Sequence, residues 1–323
     1  MCILPHKHRI SNCRDHRSRF RPNTEPHTIL APAKLNLFFE IHGKRPDGFH
    51  EITSLACPID CYDTLTFEPT EDDVLDFDCS DGGTDVPTDE TNIVVRALNL
   101  LKQETKTKCG AIVRLTKRIP SQAGLGGGSS DAVAALIVAN RSWKLGLTPE
   151  ELCRLAVTIG SDCPIFFQQG ASISRGRGEL IEPIELPSLH FVIIKPSEGL
   201  PTSAVYAECL KHHDGTVRQL ESVLKPLKSG DLGEFGRQLF NRLESSAAAL
   251  WNGYETTKRL FEQVDCLAVQ MSGSGTAFFG LCRDDRHAER VTEKLNHVAS
   301  KRLVFRARSL DHGNHRSSCK IDR

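Results

Sequence analysis

Apolar and polar residues alternate from Ile29 to His42, with Ala33, Leu35, Leu37, Phe39 and Ile41 on one side and Lys34, Asn36, Phe38 and Glu40 on the other. Period two predicts a strand that carries Lys34 and Asn36 on one face. A turn-rich loop, Gly43–His50, follows, centred on Pro46-Asp47-Gly48. Strand-like runs return at Ile52–Ile59, Asp63–Phe67 and Ala111–Lys117, and the acidic stretch Glu71–Thr91 offers short strands at most. Helical spacing marks Ile93–Glu104 and Ala132–Lys144, the latter with Val133, Leu136 and Ile137 on one face. Thr148-Pro149-Glu150-Glu151 reads as a capping box with proline at the first helical position. The helix it opens carries Leu152, Leu155, Ala156 and Ile159 at helical spacing and ends at Gly160.

Beyond it, Ser161–Phe167 reads as a turn into an apolar run, Ala171–Glu182 as a hairpin and Phe191–Ile194 as a short strand. After Pro196 helices dominate, at Ala204–Lys211, Thr216–Leu227, Phe235–Leu239, Ser245–Gln263 and Arg286–His297. Strands are expected at Leu267–Met271, Ala277–Leu281 and Leu303–Ala307, the first two flanking Ser272-Gly273-Ser274-Gly275. A domain boundary is expected near residues 180–190, and no internal repeat is visible.

The Ala111 strand and the Ala132 helix enclose Gly124-Leu125-Gly126-Gly127-Gly128-Ser129-Ser130-Asp131. Glycines let the backbone approach a ligand, and Ser129, Ser130 and Asp131 stand where a helix takes its N-cap. Such a turn binds anions, phosphate above all. A P-loop needs a lysine after its glycines, and none follows. A dinucleotide fingerprint needs a third glycine where Ser129 stands, and an acidic residue about 20 positions on. Both readings fail, leaving another kind of phosphate loop or a flexible turn.

Composition narrows the class. A chain of 323 residues has room for two domains or one large one. A formal net charge of +0 gives no global pull toward nucleic acid or an anionic membrane. No apolar run approaches the ~20 residues that span a bilayer. Twelve cysteines lack any Cys-x-x-Cys or zinc-finger spacing, so reduced thiols in a cytoplasmic protein are expected. Residues 1–27 are basic, with Lys7, Arg9, Arg14, Arg17, Arg19 and Arg21 against Asp15 and Glu25. They read as a disordered extension or a start upstream of the true one. A transit peptide is the alternative, and it would place the protein in the plastid stroma. The tail 311–323 is polar.

Phosphoryl transfer needs a phosphate cradle, a positioned hydroxyl and a base. Asp162, after a helix end and beside an apolar run, suits a base, but an Asx-turn or N-cap two residues before Pro164 looks the same. Lys34 could neutralise a developing alkoxide or sit solvated on an edge strand. Phe49 and His50 could stack on and hydrogen-bond a base, or plug the core. Ser272–Gly275 could be a second backbone cradle or a hairpin turn.

Four segments together resemble the GHMP kinase superfamily and, within it, the 4-diphosphocytidyl-2-C-methyl-D-erythritol kinase family. They are Pro32–Phe38 with Gly43–Glu51, Pro120–Asp131, Ser161–Phe166 and Met271–Thr276, and the similarity runs from about Ile29 to Ala307. Asp47-Gly48-Phe49-His50 is the element that distinguishes this family from mevalonate, homoserine and galactose kinases. The resemblance implies an α+β two-domain GHMP kinase fold: a ribosomal-S5-like β/α domain over 28–185, a ferredoxin-like α/β sandwich over 186–310, and an active site in the cleft between them. It implies ATP-dependent phosphorylation of the 2-hydroxyl of 4-diphosphocytidyl-2-C-methyl-D-erythritol in the non-mevalonate isoprenoid route. Another GHMP-type kinase, acting on a mevalonate- or homoserine-like substrate, and a silent nucleotide-binding homologue are the alternatives.

By the same resemblance Asp162 is the base and Lys34 its partner. Pro120, Ser121, Gln122, Ala123, Gly124, Leu125, Gly126, Gly127, Gly128, Ser129 and Ser130 hold the ATP phosphates, with the Gln122 side chain pointing away from them. Asn36, Phe49 and His50 face the cytidyl substrate, Phe49 standing where the family commonly has tyrosine. Tyr206 is the candidate second stacking aromatic, Thr202 a contact to the methylerythritol part, and Gly273 and Ser274 further substrate contacts. Mg2+ is expected with ATP, Ser130 being the candidate contact. The implied partner is a small molecule, with no nucleic acid and no membrane, and nothing in the sequence fixes an oligomeric state.

Overall fold

The computed structural model describes residues 25–80, 86–211 and 216–311. The basic stretch up to residue 24 and the tail from 312, both singled out in the sequence, lie outside these residues. The strands are β1 (His27–Lys44), β2 (His50–Thr70), β3 (Leu75–Ser80), β4 (Gly110–Thr116), β5 (Ser172–Gly176), β6 (Leu180–Pro183), β7 (His190–Lys195), β8 (Phe240–Asn241), β9 (Ala268–Met271), β10 (Phe278–Cys282) and β11 (Leu303–Arg308). The helices are α1 (Ile93–Thr105), α2 (Gly127–Ser142), α3 (Pro149–Ile159), α4 (Thr202–Lys211), α5 (Glu221–Ser229), α6 (Leu232–Gln238), α7 (Glu244–Leu250), α8 (Gly253–Leu260) and α9 (Asp285–Val298).

Two sheets organise the molecule. The first runs β3-β4-β2-β1-β8, with β5 paired to β2 and β6 to β5. The second is antiparallel, in the order β11-β7-β10-β9. Helices α1, α2 and α3 cover one face of the first sheet and bury Val94, Leu98, Val133 and Leu136 against Phe67 and Val113. Leu35, Leu37 and Phe38 of β1 pack with Phe191 and Phe279 of the second sheet, so one core is shared by both. A third core joins Phe39 and Ile41 to Ile194, Met271 and Phe278. The architecture is α+β.

The expected alternation along β1 breaks in the middle. Asn36 pairs with Ala56 and Phe38 with Leu55, so Leu37 is an extra residue. This bulge turns Leu37 and Phe38 to one side and sends Phe39 and Ile41 to the opposite core, away from Ala33 and Leu35. A period-two reading puts all five on one face; the inserted residue is why it fails. The runs Ile52–Ile59 and Asp63–Phe67 are likewise one strand, with Asp60 and Cys61 bulging opposite the Pro32–Ala33 step.

Other boundaries shift for local reasons. α2 starts at Gly127, with Gly126 as a left-handed N-cap, so Ser129, Ser130 and Asp131 lie inside the helix and do not cap it. The capping box at Thr148 is present in full, while Gly160 closes α3 in an extended conformation. The expected helix 245–263 breaks at Trp251, whose extended backbone lets its indole pack on Phe278. The expected helix 216–227 begins only at Glu221, because the Arg218 N–H is held by the buried Glu40 carboxylate at 2.8 Å. β8 has only two residues and was not expected at all; it adds in parallel to β1.

Candidate active site

The glycine turn, the middle of β1, the Gly48–His50 loop, the start of α4 and the Gly273–Gly275 turn surround one cavity of about 960 Å³. Its wall includes Lys34, Asn36, Phe49, His50, Asp162, Thr202, Tyr206, Gly273, Ser274 and every residue from Pro120 to Ser129. Ser130 is the exception. It is fully buried, does not line the cavity, and its Oγ has no hydrogen-bond partner among the described residues. The first turn of the helix explains this: with the cap at Gly126, the Ser130 N–H already bonds to the Gly126 carbonyl at 3.0 Å, while Gly127, Gly128 and Ser129 before it line the cavity.

Lys34 is not a solvated edge residue. β1 lies between β2 and β8, and Lys34 is 2% exposed. Its Nζ donates to Asn36 Oδ1 and to the Gly124 carbonyl at 2.9 Å, and faces Asp162 Oδ2 at 3.7 Å. Burial holds its ammonium below the ordinary lysine range, and the Asp162 charge partly opposes that. Asn36 spends its own amide N–H on Ser54 Oγ at 2.8 Å, which fixes its oxygen toward the lysine. Asp162 occupies the N-cap position of the short turn Cys163–Phe167, yet its side chain makes no capping bond. The carboxylate, 42% exposed, is left to face Lys34 and the cavity. The N-cap reading therefore describes its backbone and not its side chain.

The donor side is built by close approach. Gly124 has φ +73°, and a Cβ there would lie 2.0 Å from the Ser272 carbonyl oxygen. The Gly124 carbonyl accepts from both Lys34 Nζ and Ser272 Oγ, so the phosphate turn, β1 and the Ser272–Gly275 turn share one atom. The Gln122 side chain lies against Gly199.

The aromatic side is also assembled. The rings of His50 and Tyr206 are 4.9 Å apart, and the Arg177 guanidinium lies 4.7 Å over the Phe49 ring. Burial and Lys44 hold His50 below its ordinary range, which favours the neutral ring, and its Nε2 is buried without a partner among the described residues. Thr202 Oγ1 meets Ser274 Oγ at 2.9 Å.

Asn92, Ile93, Lys117 and Arg177 also line the wall though the sequence assigns them no role in the site, and so does Asp131, which it marks only as a helix cap. Lys117 bridges Asp131, at 2.7 Å, and the fully buried Asp63, whose other oxygen accepts the Ile119 N–H at 2.8 Å. Burial pushes the Asp131 carboxyl up to about 8, against the pull of Lys117 and with the push of Asp63. The folded chain thus keeps a proton that an unfolded aspartate has lost, and stability falls as pH rises from the ordinary carboxylate range to about 8. Asp131→Asn removes this part of the slope. Thermal midpoints of both proteins from about pH 5 to about pH 9 check it, and parallel curves would place the proton elsewhere.

Among the described residues no group of three acidic, histidine or cysteine side chains could hold a metal, and no helix is long and apolar enough to cross a membrane. The nine cysteines within them are free.

The family description "GHMP kinases N terminal domain" matches residues 92–170, and "GHMP kinases C terminal" matches residues 223–301. The 4-diphosphocytidyl-2-C-methyl-D-erythritol kinase of Pelotomaculum thermopropionicum is 35% identical over 86% of this chain and 97% of its own. That of Bacillus pumilus is 37% identical over 87% and 98%. A crystal structure of 4-(cytidine 5'-diphospho)-2C-methyl-D-erythritol kinase superposes with a TM-score of 0.74 at 31% identity, covering 88% of this chain and 99% of that one. The L. major mevalonate kinase, at 16% identity and a TM-score of 0.72 over 88% and 96%, shares the fold.

Proposed function

Because this chain belongs to the 4-diphosphocytidyl-2-C-methyl-D-erythritol kinase family of the GHMP kinases, we propose how its own residues carry out that family's phosphoryl transfer. The enzyme is an ATP-dependent phosphotransferase. In our reading the γ-phosphate goes to the 2-hydroxyl of the cytidyl methylerythritol substrate. The observation that carries this reading is the convergence of Lys34 and Asp162, 3.7 Å apart, on the cavity wall beside the phosphate turn.

Each step falls to a placed group. The free N–H groups of 127–129 and the positive end of α2 hold the phosphates. Asp162 accepts the proton of the acceptor hydroxyl as the hydroxyl oxygen bonds to the γ-phosphorus, while the bond from that phosphorus to the β–γ bridging oxygen breaks and ADP leaves. Lys34 stabilises the negative charge that grows on the acceptor and transferring oxygens, and its bond to Gly124 keeps it beside the phosphate turn. Its low-dielectric setting strengthens that effect. Phe49 and Tyr206 offer faces for the cytosine ring, and the unpartnered His50 Nε2 reads its polar edge. Arg177 lies over Phe49, where it extends the stack. Thr202 and Ser274, hydrogen-bonded to each other, meet the polyol end.

Mg2+ neutralises phosphate charge in such transfers. Among the described residues no three acidic, histidine or cysteine side chains form a group that could hold it, and Ser130, the candidate contact, is buried off the cavity wall. In our reading the ion arrives on ATP. We place the enzyme in the cytoplasm, which the free thiols support.

The test is a substrate panel. With ATP, the purified protein phosphorylates the cytidyl alcohol and leaves mevalonate and homoserine unchanged. Turnover of either small acid without the cytidyl compound would overturn the assignment.

A further inference from the structure

Asn241 sits on the two-residue strand β8, which pairs in parallel with β1: Phe38 opposite Phe240 and Phe39 opposite Asn241. β1 is also the strand of Lys34 and Asn36. Asn241 is 4% exposed, yet its side chain is fully engaged. Its Nδ2 donates to the Met271 carbonyl at 2.9 Å and the Gly273 carbonyl at 2.8 Å, and its Oδ1 accepts the Leu243 N–H at 3.0 Å. Glu244, three residues on, accepts the Met271 N–H at 2.6 Å. Both polar backbone groups of Met271 and the carbonyl of Gly273 are therefore held by one short segment.

What lies between and beyond those bonds is the active site. Ser272 Oγ accepts the Asn36 N–H at 3.3 Å and donates to the Gly124 carbonyl at 2.9 Å. Gly273 packs so closely on the lysine that a Cβ there would lie 3.3 Å from Lys34 Nζ and 3.2 Å from Asn36 Oδ1.

We propose that Asn241, seconded by Glu244, is a positioning residue that fixes the Ser272–Gly275 turn against Lys34, using β1 as the common reference. This rests on the reading of Lys34 as the partner of Asp162. The amide is suited to the task because two N–H donors on one nitrogen meet two carbonyls in a site without room for adjustment. A carboxylate of the same shape has no donor and faces both carbonyls with negative charge.

That difference supplies the experiment. In Asn241→Asp, kcat for the cytidyl alcohol falls about 10- to 100-fold at about pH 8, while KM for ATP changes far less. Acidification toward about pH 6 returns a proton to the new carboxyl and restores one donor, so the variant-to-wild-type kcat ratio rises. A residue serving only stability would lower the thermal midpoint without a pH-dependent ratio. Wild-type turnover tests the proposed function, and the ratio tests the clamp, so the two fail separately. If Asn241→Asp does not fold, Asn241→Ser, which cuts both bonds without adding charge, shows the kcat loss without the acid recovery. A ratio near one in a folded variant of either kind, or a loss that does not respond to pH in Asn241→Asp, overturns the proposal.

Discussion

Asp162→Asn is expected to lower kcat by about 10²- to 10⁴-fold, the range a positioned general base contributes. ATP binding should stay near the wild-type value. The carboxylate is 42% exposed and caps no N–H, so the substitution removes a proton acceptor without breaking a structural bond. It also removes the negative charge facing Lys34, one of the influences that keep the ammonium charged against burial. Part of the loss therefore passes through the lysine. Single-turnover transfer from labelled ATP, with nucleotide affinity measured separately, separates chemistry from binding. Near-wild-type transfer in the variant would end the case for Asp162 as base.

The second large effect is expected at Gly124→Ala. A left-handed φ of +73° is costly for alanine, and its Cβ would meet the Ser272 carbonyl at 2.0 Å. The phosphate turn and the Ser272–Gly275 turn must then separate, and the Gly124 carbonyl leaves Lys34 and Ser272. KM for ATP should rise and kcat fall together, with a stability loss of about 2–4 kcal/mol. Gly146→Ala is the control, since it shares φ +73° but has nothing within 4 Å of a Cβ. It should cost only the backbone term, about 1–2 kcal/mol, and leave kinetics untouched. Equal kinetic damage in both variants would mean that the contact with Ser272 is irrelevant.

The sequence exposed what local pattern governs. Period two located β1, the Thr148 box located α3, and the glycine run located the phosphate turn. Of the residues singled out for the site, Ser130 alone fails to line the cavity. It was misplaced because a left-handed glycine cap starts α2 before the serines that usually mark a helix entrance. The parts that stayed hidden depend on distant partners. Lys117 meets Asp63 across 54 positions and Asp131 across 14, and nothing near any of the three announces the others. Asn241 stands on a strand too short to leave a periodic trace, and its bonds reach 30 and 32 positions ahead. The expected helix 245–263 also ignored Asn252 and Gly253, poor helix formers directly after Trp251, where the chain breaks and the indole packs on Phe278.

The supernumerary Leu37 gives β1 a length constraint that no scan of substitutions would detect. Exchanging it for another apolar residue alters only the packing around one buried side chain. Losing that one codon would close the bulge and put the two halves of the strand back into strict alternation. Then either Phe39 and Ile41 leave the core they share with Met271 and Phe278, or Lys34 and Asn36 turn away from the phosphate turn. The strand at this point therefore tolerates a change of side chain far better than a change of length.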